Sequence, residues 1–147
     1  MAAAKKKQKS KQTTGGEGLE FNHAMIYARD VAVSVHFYVD LLGFRPVDES
    51  RFGGEFIYAR LRSPRGTSTL SIHKVEPGKS LPDFEGVRLY FEIQNLTAFC
   101  KKIEAAGIRL TEQPKLAPWG WTHAYLNDPD GHELSLYWAG EKRLKKS

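Results

Sequence analysis

The chain has 147 residues, of which 41% are hydrophobic and 12% aromatic, and its formal net charge is +5. This length suits one domain with a substantial hydrophobic core. No apolar stretch is long enough to cross a bilayer, and no apolar segment follows the N-terminal charges, so we expect neither a membrane span nor a secretory signal. The single cysteine, Cys100, excludes an internal disulfide and a multi-cysteine zinc site. We expect Cys100 to be a buried, unreactive thiol in a reducing, cytoplasmic compartment.

The positive charge is concentrated at the two ends of the sequence. Residues 1–18 hold five lysines and one glutamate, residues 140–147 are also basic, and residues 19–139 carry a small net negative charge. A nucleic-acid-binding fold needs its basic side chains on the folded surface. Nucleic acid is therefore not an expected partner, except through the Lys-rich tail, which we predict to be disordered. A weaker alternative is an interaction protein whose basic tails dock on nucleic acid or on acidic partners.

The first half of the chain predicts one strand, one helix and three further strands. Residues 20–28 alternate as a strand should, with His23, Met25 and Tyr27 on one face. Asp30 can cap a helix over 31–42, and Gly43 suits the end of that helix. Turn-forming residues then separate three predicted strands, at 44–50, 54–62 and 67–74.

The second half repeats this order after a Pro- and Gly-rich connector at 75–86. A strand at 87–94 precedes a helix at 96–106, which Asn95 can cap and Gly107 can end. Three strands follow at 108–112, 120–126 and 132–138, and the turn before the last one is rich in Asp, Pro and Gly. We predict an α+β fold of two βαβββ modules, 19–74 and 86–139, which form a half-open curved mixed sheet around a cavity with the helices outside.

Equivalent positions in the two halves keep a nearly constant spacing. His23 lies 65 residues before Arg88, and Ser71 lies 64 residues before Ser135. Such self-similarity indicates one supersecondary unit used twice, and the junction of two modules is a common place for a ligand cavity. We expect His23 and Arg88 to face each other there and to suit a carboxylate, phosphate or phenolate. The alternative is that Arg88 pairs internally with Glu92 or Glu133.

Aromatic residues and one carboxylate complete the candidate site. The aromatic walls would come from Tyr90, Trp119, Trp121 and Tyr137, for which plain core packing is the alternative. Glu133 is a candidate general base if apolar neighbours bury it, and a solvated strand residue otherwise. Strand parity places two further histidines, His123 and His132, on the outer face.

Several short motifs resemble one known superfamily. The motifs are Phe37-Tyr38, Leu42-Gly43-Phe44 and the segment DPDGHELSLYW at 128–138. They are similar to the vicinal oxygen chelate superfamily, which includes glyoxalase I, fosfomycin-resistance enzymes, extradiol dioxygenases and bleomycin-resistance proteins. The resemblance covers about residues 20–138, and Pro118-Trp119-Gly120 is similar to the bleomycin-resistance branch. It implies the two-module fold and a homodimer.

The resemblance also shows where the metal of the superfamily's enzymes would lie. The equivalent positions here are His23, Ser71, Arg88 and Ser135, of which only His23 is a competent ligand, and Arg88 stays cationic. We therefore expect no metal cofactor. The alternative is a divalent ion held by His23, His73 and Glu133, although the offsets between them along the strands oppose convergence.

The leading hypothesis is a small-molecule-binding protein that acts without the usual metal in sequestration, sensing or resistance. Its ligand would be a partly aromatic or anionic compound between the modules. The predicted ligand-binding residues are His23, Ser71, Arg88, Tyr90, Trp119, Ser135 and Tyr137. The alternatives are a metal-dependent glyoxalase-like lyase or extradiol dioxygenase, and a protein that binds a large cationic drug of the bleomycin type. For the cationic drug, Glu92 or Glu133 would have to neutralise Arg88.

Overall fold

The fold consists of two four-stranded mixed β-sheets, each built from one half of the chain. The computed structural model describes residues 21–81 and 87–140. The first half contains β1 (His23–Ala28), α1 (Val31–Val35) with a π-helical continuation (His36–Leu41), β2 (Arg45–Phe52), β3 (Glu55–Arg62) and β4 (Thr69–Lys74). The second contains β5 (Arg88–Glu92), α2 (Leu96–Ala105), β6 (Leu110–Leu116), β7 (Thr122–Asn127) and β8 (Glu133–Trp138).

The two sheets have the same topology. Their strand orders are β1-β4-β3-β2 and β5-β8-β7-β6. In each sheet the first strand runs parallel to the last, and the remaining pairs are antiparallel. This arrangement confirms the predicted α+β fold of two tandem βαβββ modules.

The register of the strands shows how closely the modules repeat. Met25 lies opposite Ser71 in the first sheet, and Tyr90 lies opposite Ser135 in the second. Each pair is separated by the sequence spacing that relates the two halves, so equivalent residues occupy equivalent places in the two sheets.

The helices begin and end largely as their sequences predict. The Asp30 side chain accepts a hydrogen bond from the Val33 amide at 3.3 Å, whereas Asn95 precedes α2 without a side-chain cap bond. Gly43 follows the first helix with φ of 87°, a left-handed conformation that favours glycine. The end of the first helix widens into a π-helical turn, since the Leu42 amide bonds the carbonyl of Phe37.

One hydrophobic core joins both modules. Each sheet packs one face against its own helix, with α1 on β3 and β4 and α2 on β6 and β8. The buried aliphatic residues of both halves form a single cluster, to which Ile72 and Leu134 contribute fully buried side chains. Cys100 lies in the same cluster and is buried, as predicted. Burial and the charge of Glu104 raise the pKa of its thiol to about 11.

Polar and aromatic contacts fasten the first module to the turn before β8. The buried Tyr38 hydroxyl donates to Asp128 at 2.7 Å, and Arg29 pairs with Asp130 at 3.1 Å. The His132 imidazole bonds the Tyr27 carbonyl at 2.8 Å. The DPDGH turn of the sequence therefore holds the two modules together.

The main boundary difference concerns β6, which runs past the predicted end at residue 112 to Leu116. The segment contains Pro114, which a central strand would not tolerate, but β6 lies at the edge of its sheet and its pairing shifts register between Glu112 and Lys115. The predicted Lys-rich tail falls outside the described residues. Within 21–81 and 87–140, no helix is long and apolar enough to cross a membrane.

Candidate functional site

Each sheet turns one face toward its helix and carries chemically distinctive side chains on the other. Strand alternation sends the aliphatic residues of a strand to the core and the intervening residues to the opposite face. On the first sheet that opposite face, here called the polar face, carries His23, Tyr58, Ser71 and His73. On the second sheet, the aromatic face carries Arg88, Tyr90, Trp119, Trp121, His123, Tyr125, Ser135 and Tyr137.

The polar face is organised around Ser71, which is fully buried. The Ser71 hydroxyl lies 2.9 Å from the Tyr58 hydroxyl and 3.1 Å from Nε2 of His23. The other ring nitrogen of His23 lies 2.6 Å from the Thr69 hydroxyl. Hydrogen bonds from Ser71 and then Arg60 lower the pKa of the Tyr58 phenol.

The aromatic face has a cation at one end. Arg88 pairs with Glu133 at 3.1 Å, which agrees with one of the two internal pairings considered for it. Its guanidinium carbon also lies 4.8 Å from the centroid of the Tyr125 ring. Hydrogen bonds to Glu133 and then to Tyr90 raise the pKa of Arg88, so the group stays cationic. About 40% of the Arg88 side chain is exposed, which leaves it able to meet a ligand.

His123 lies at the centre of the aromatic face, and the prediction that it points to the outer face is wrong. It is 4% exposed, and its Nδ1 lies 2.9 Å from the buried Ser135 hydroxyl. In the register His123 lies opposite Tyr137, and its neighbour Ala124 takes the core side. The alternation of Ala124 and Leu126 as apolar residues was the signal in the sequence that would have placed His123 correctly.

The imidazole of His123 is surrounded by rings but lacks one hydrogen bond. Trp121, Tyr125 and Tyr137 stack roughly parallel to it, at centroid distances of 5.7 to 6.2 Å. Within the described residues Nε2 is buried and has no hydrogen-bond partner. Burial, and then the positive charge of Arg88, lower the pKa of His123, which favours the neutral ring.

These aromatic side chains do not belong to the hydrophobic core that holds the fold together. Tyr90, Trp119 and Tyr137 lie outside the core cluster, on the other side of the sheet from α2. Trp119 is 59% exposed and Tyr90 is 50% exposed. Trp121 and Tyr137 stack at 5.2 Å with an angle of 12° between their planes. The arrangement is an open aromatic wall, of the kind that planar ligands bind.

The two faces are built alike but remain separate groups. Tyr58 bonds Ser71 in the first module, and the equivalent His123 bonds Ser135 in the second, both at 2.9 Å. His23 meets Thr69 where Arg88 meets Glu133 in the repeat. No hydrogen bond, ion pair or ring contact recorded for residues 21–81 and 87–140 joins His23 to Arg88, so the prediction that they face each other stays a prediction.

The donor set of the chain does not fit a metal ion. In the described ranges, no group of three His, Cys, Asp or Glu side chains could hold one. In the register His23 lies opposite Thr69 and His73 opposite Tyr27, so the two histidines are separated by four strand positions, roughly 13 Å. His73 also hydrogen-bonds the Lys74 carbonyl at 2.7 Å, and Glu133 is held by Arg88. The alternative set of His23, His73 and Glu133 does not converge in one chain.

Glu133 does not meet the condition set for a general base. Its side chain is 39% exposed and pairs with a permanent cation, instead of being buried among apolar side chains. A carboxylate in this setting is held in its charged form by the guanidinium. Glu133 therefore orients Arg88 on the aromatic face.

A cavity of about 430 Å³ lies at the junction of the modules. It is lined mainly by apolar residues of β1, β5 and the connector, among them Met25, Tyr27 and Leu89. None of the seven predicted ligand-binding residues lines it. The junction therefore does contain a cavity, but the polar and aromatic faces lie outside it.

Comparison with known proteins gives one consistent result. The model of the Glyoxalase/Bleomycin resistance protein/Dioxygenase superfamily matches residues 20–136. A member of that superfamily from Sphaerobacter thermophilus DSM 20745 has a similar solved structure, with a TM-score of 0.67 and 21% identity over 82% of this chain and 98% of that one. No curated protein sequence matches this chain.

Two further solved structures share the fold. TioX from Micromonospora sp. ML1 superposes with a TM-score of 0.66 and 17% identity, over 82% of this chain and 98% of its own. Lactoylglutathione lyase from Agrobacterium tumefaciens superposes with a TM-score of 0.62 and 18% identity, over 84% of this chain and 95% of its own. At these identities the likeness establishes the architecture alone.

Proposed function

Since the chain belongs to the glyoxalase/bleomycin resistance protein/dioxygenase superfamily, we propose that it binds a planar, anionic small molecule on the aromatic face of its second sheet. The observation that carries this proposal is the exposed aromatic wall beside a fixed cation. Trp119 and Tyr90 offer ring surface, and Arg88 lies at one end of the same face with part of its guanidinium open to solvent.

The chemistry of this face suits an aromatic acid. Stacked rings bind a planar apolar body, and a guanidinium binds a carboxylate, phosphate or phenolate through a planar fork of donors. Glu133 already occupies part of the Arg88 fork, so the ligand would use the remaining donors. Sequestration, sensing or resistance would each need only such binding.

The proposal does not require a metal. The residues at the positions of the superfamily's metal ligands supply one imidazole, two serine hydroxyls and a guanidinium, and the guanidinium repels a cation. No described observation favours the alternative of a metal-dependent lyase or dioxygenase. The proposed activity is therefore binding, and we derive no reaction for it.

Isothermal titration calorimetry with 1-naphthoate tests the proposal. We expect a dissociation constant below about 1 mM, weaker binding of the saturated acid cyclohexanecarboxylate, and no binding of 1-naphthylmethylamine. Binding of the amine in preference to the acid would instead favour the cationic-drug hypothesis. Failure of 1-naphthoate to bind would refute the proposal.

Two repeat-equivalent residues provide a matched pair of variants that locates the site. Tyr90 lies on the aromatic face opposite Ser135, and Met25 lines the junction cavity opposite Ser71. We expect Tyr90→Ala to weaken 1-naphthoate binding about tenfold, as loss of one aromatic contact does, and Met25→Ala to leave it unchanged. The reverse result would place the ligand in the junction cavity.

A second matched pair tests the charge. Arg88→Met removes the cation of the aromatic face, and Arg60→Met removes an exposed cation opposite Ser71 on the first sheet. We expect only Arg88→Met to weaken binding, by about tenfold or more. Equal effects of both variants would indicate general electrostatic attraction instead of a site.

We also propose that the chain forms a homodimer, as the superfamily resemblance implies. Several large apolar side chains near the module junction are exposed, including Met25, Tyr27 and Val87. A second copy would bury part of this surface. Light scattering coupled to size-exclusion chromatography should give twice the chain mass of 16.6 kDa, and a monomer mass at micromolar concentration would contradict the proposal.

A further inference from the structure

We infer that His123 anchors the ligand: its Nε2–H donates a hydrogen bond to an acceptor oxygen of a planar aromatic acid whose charge Arg88 binds. This inference rests on the proposed function and adds to it the residue that positions the ligand. It starts from one unusual feature, a histidine that is 4% exposed and whose Nε2 is buried without a partner in the described part of the chain.

The hydrogen bond at the other ring nitrogen decides which nitrogen carries the proton. Ser135 is fully buried, and Nδ1 of His123 at 2.9 Å is the partner recorded for its hydroxyl within the described ranges. If Nδ1–H were the donor, both the Ser135 proton and the Nε2 lone pair would lack a partner. If Ser135 donates instead, only the Nε2–H lacks one, and this arrangement wastes fewer hydrogen bonds.

A neutral ring with this tautomer presents a donor. Burial and the nearby Arg88 charge both disfavour the imidazolium. The donor and the guanidinium on the same face then select for an acceptor or an anion. A ligand cation would meet two donors and no acceptor from this pair, so an aromatic acid is the class that fits.

The two rings that a ligand must displace are the most exposed of the wall. Trp119 and Tyr90 approach His123 edge to face, at centroid distances of 5.6 and 6.1 Å. The rings that stack on His123 are less exposed than these two. Trp119 follows Pro118 in a turn in which Gly120 has φ of 96°. Moving an indole that is already 59% exposed gives up little buried surface, so a planar ligand can take its place.

The repeat supplies an internal comparison. Tyr58 occupies the place of His123 in the first module and bonds Ser71 at the same distance of 2.9 Å. A phenol has one polar atom, and that atom is used by the serine and Arg60. An imidazole has two polar atoms, so the second module keeps one for a ligand where the first module has none to spare.

Nitrogen-15 NMR of histidine-labelled protein tests the tautomer and the contact directly. We expect His123 to show the Nε2–H tautomer in the free protein, and its Nε2–H proton to move downfield when 1-naphthoate is added. The His123→Phe variant assigns the signal. An Nδ1–H tautomer, or an Nε2–H signal that 1-naphthoate leaves unmoved while binding is measured, would overturn the inference.

Calorimetry on the same samples separates this inference from the proposed function. We expect His123→Phe, which keeps a ring among the stacked aromatics, to bind 1-naphthoate about tenfold or more weakly, and Tyr58→Phe to bind it as the unmodified protein does. If the unmodified protein binds and His123→Phe binds equally well, the inference fails and the proposed function stands. If the unmodified protein does not bind 1-naphthoate, both fail.

Discussion

The hydrogen bond between Tyr38 and Asp128 should carry much of the attachment between the modules. Asp128 is 4% exposed and Tyr38 is fully buried. One Asp128 oxygen accepts from the Tyr38 hydroxyl at 2.7 Å, and the other accepts from the amides of Asp130 and His132, both at 2.9 Å. Asp128→Ala would leave a buried hydroxyl without a partner and two turn amides without their acceptor.

The expected cost follows from these three bonds. A buried donor left without a partner costs about 1 to 3 kcal/mol, and the turn amides recover part of their loss from water. We expect Asp128→Ala to lower the free energy of unfolding by about 3 kcal/mol, a large share of the roughly 5 to 15 kcal/mol typical of a domain. Tyr38→Phe removes only the hydroxyl and should cost about 1 to 2 kcal/mol.

Urea denaturation of the single and double variants, followed by circular dichroism, measures these values. The double variant should be more stable than the sum of the single effects implies, with a coupling of about 1 kcal/mol. Glu49→Ala, which removes an exposed partner of Arg51, is the control and should change stability by less than about 0.5 kcal/mol. Additive effects of Asp128→Ala and Tyr38→Phe would refute the reasoning.

Three other outcomes are expected. Because the pKa of Cys100 is raised to about 11, its thiol should react with Ellman's reagent only after denaturation; rapid reaction of the native protein at pH 8 would contradict its burial. Because folding lowers the pKa of His123, its contribution to stability should be present above the unfolded pKa of about 6.5 and be lost as pH falls through the lower folded value. His123→Phe should flatten that part of the pH profile of unfolding, and an unchanged profile would contradict it. Metal analysis of the purified protein should find less than stoichiometric nickel, zinc, iron or manganese, whereas one tightly held ion per chain would require ligands that the described residues do not bring together.

The sequence predicted the fold because its signals are local and repeated. Asp30, Gly43 and the DPDGH turn mark element ends through preferences of single residues, and these positions behave in the structure as their chemistry indicates. Alternating apolar residues then fix which face of each strand meets a helix. Because the same order occurs twice, each half supported the interpretation of the other.

Parity alone was less reliable where a strand boundary was misjudged. The second module contains a tryptophan-rich turn just before β7, and starting the strand too early left the facing of His123 to be guessed. The register with β8 fixes that facing, because His123 lies opposite Tyr137. A cross-strand pairing depends on residues far apart in sequence, so only the folded sheet shows it.

The sequence by itself determined the composition of the candidate site: a lone imidazole, two serines and an arginine where metal ligands would be needed. It also determined the duplication that places them equivalently. Only the tertiary structure decided the partners, since Arg88 meets Glu133 and His123 meets Ser135 across strands. Hydrogen bonds and ring contacts have ranges of a few ångströms, so they depend on how the chain brings distant residues together, and residue types and spacings do not specify that.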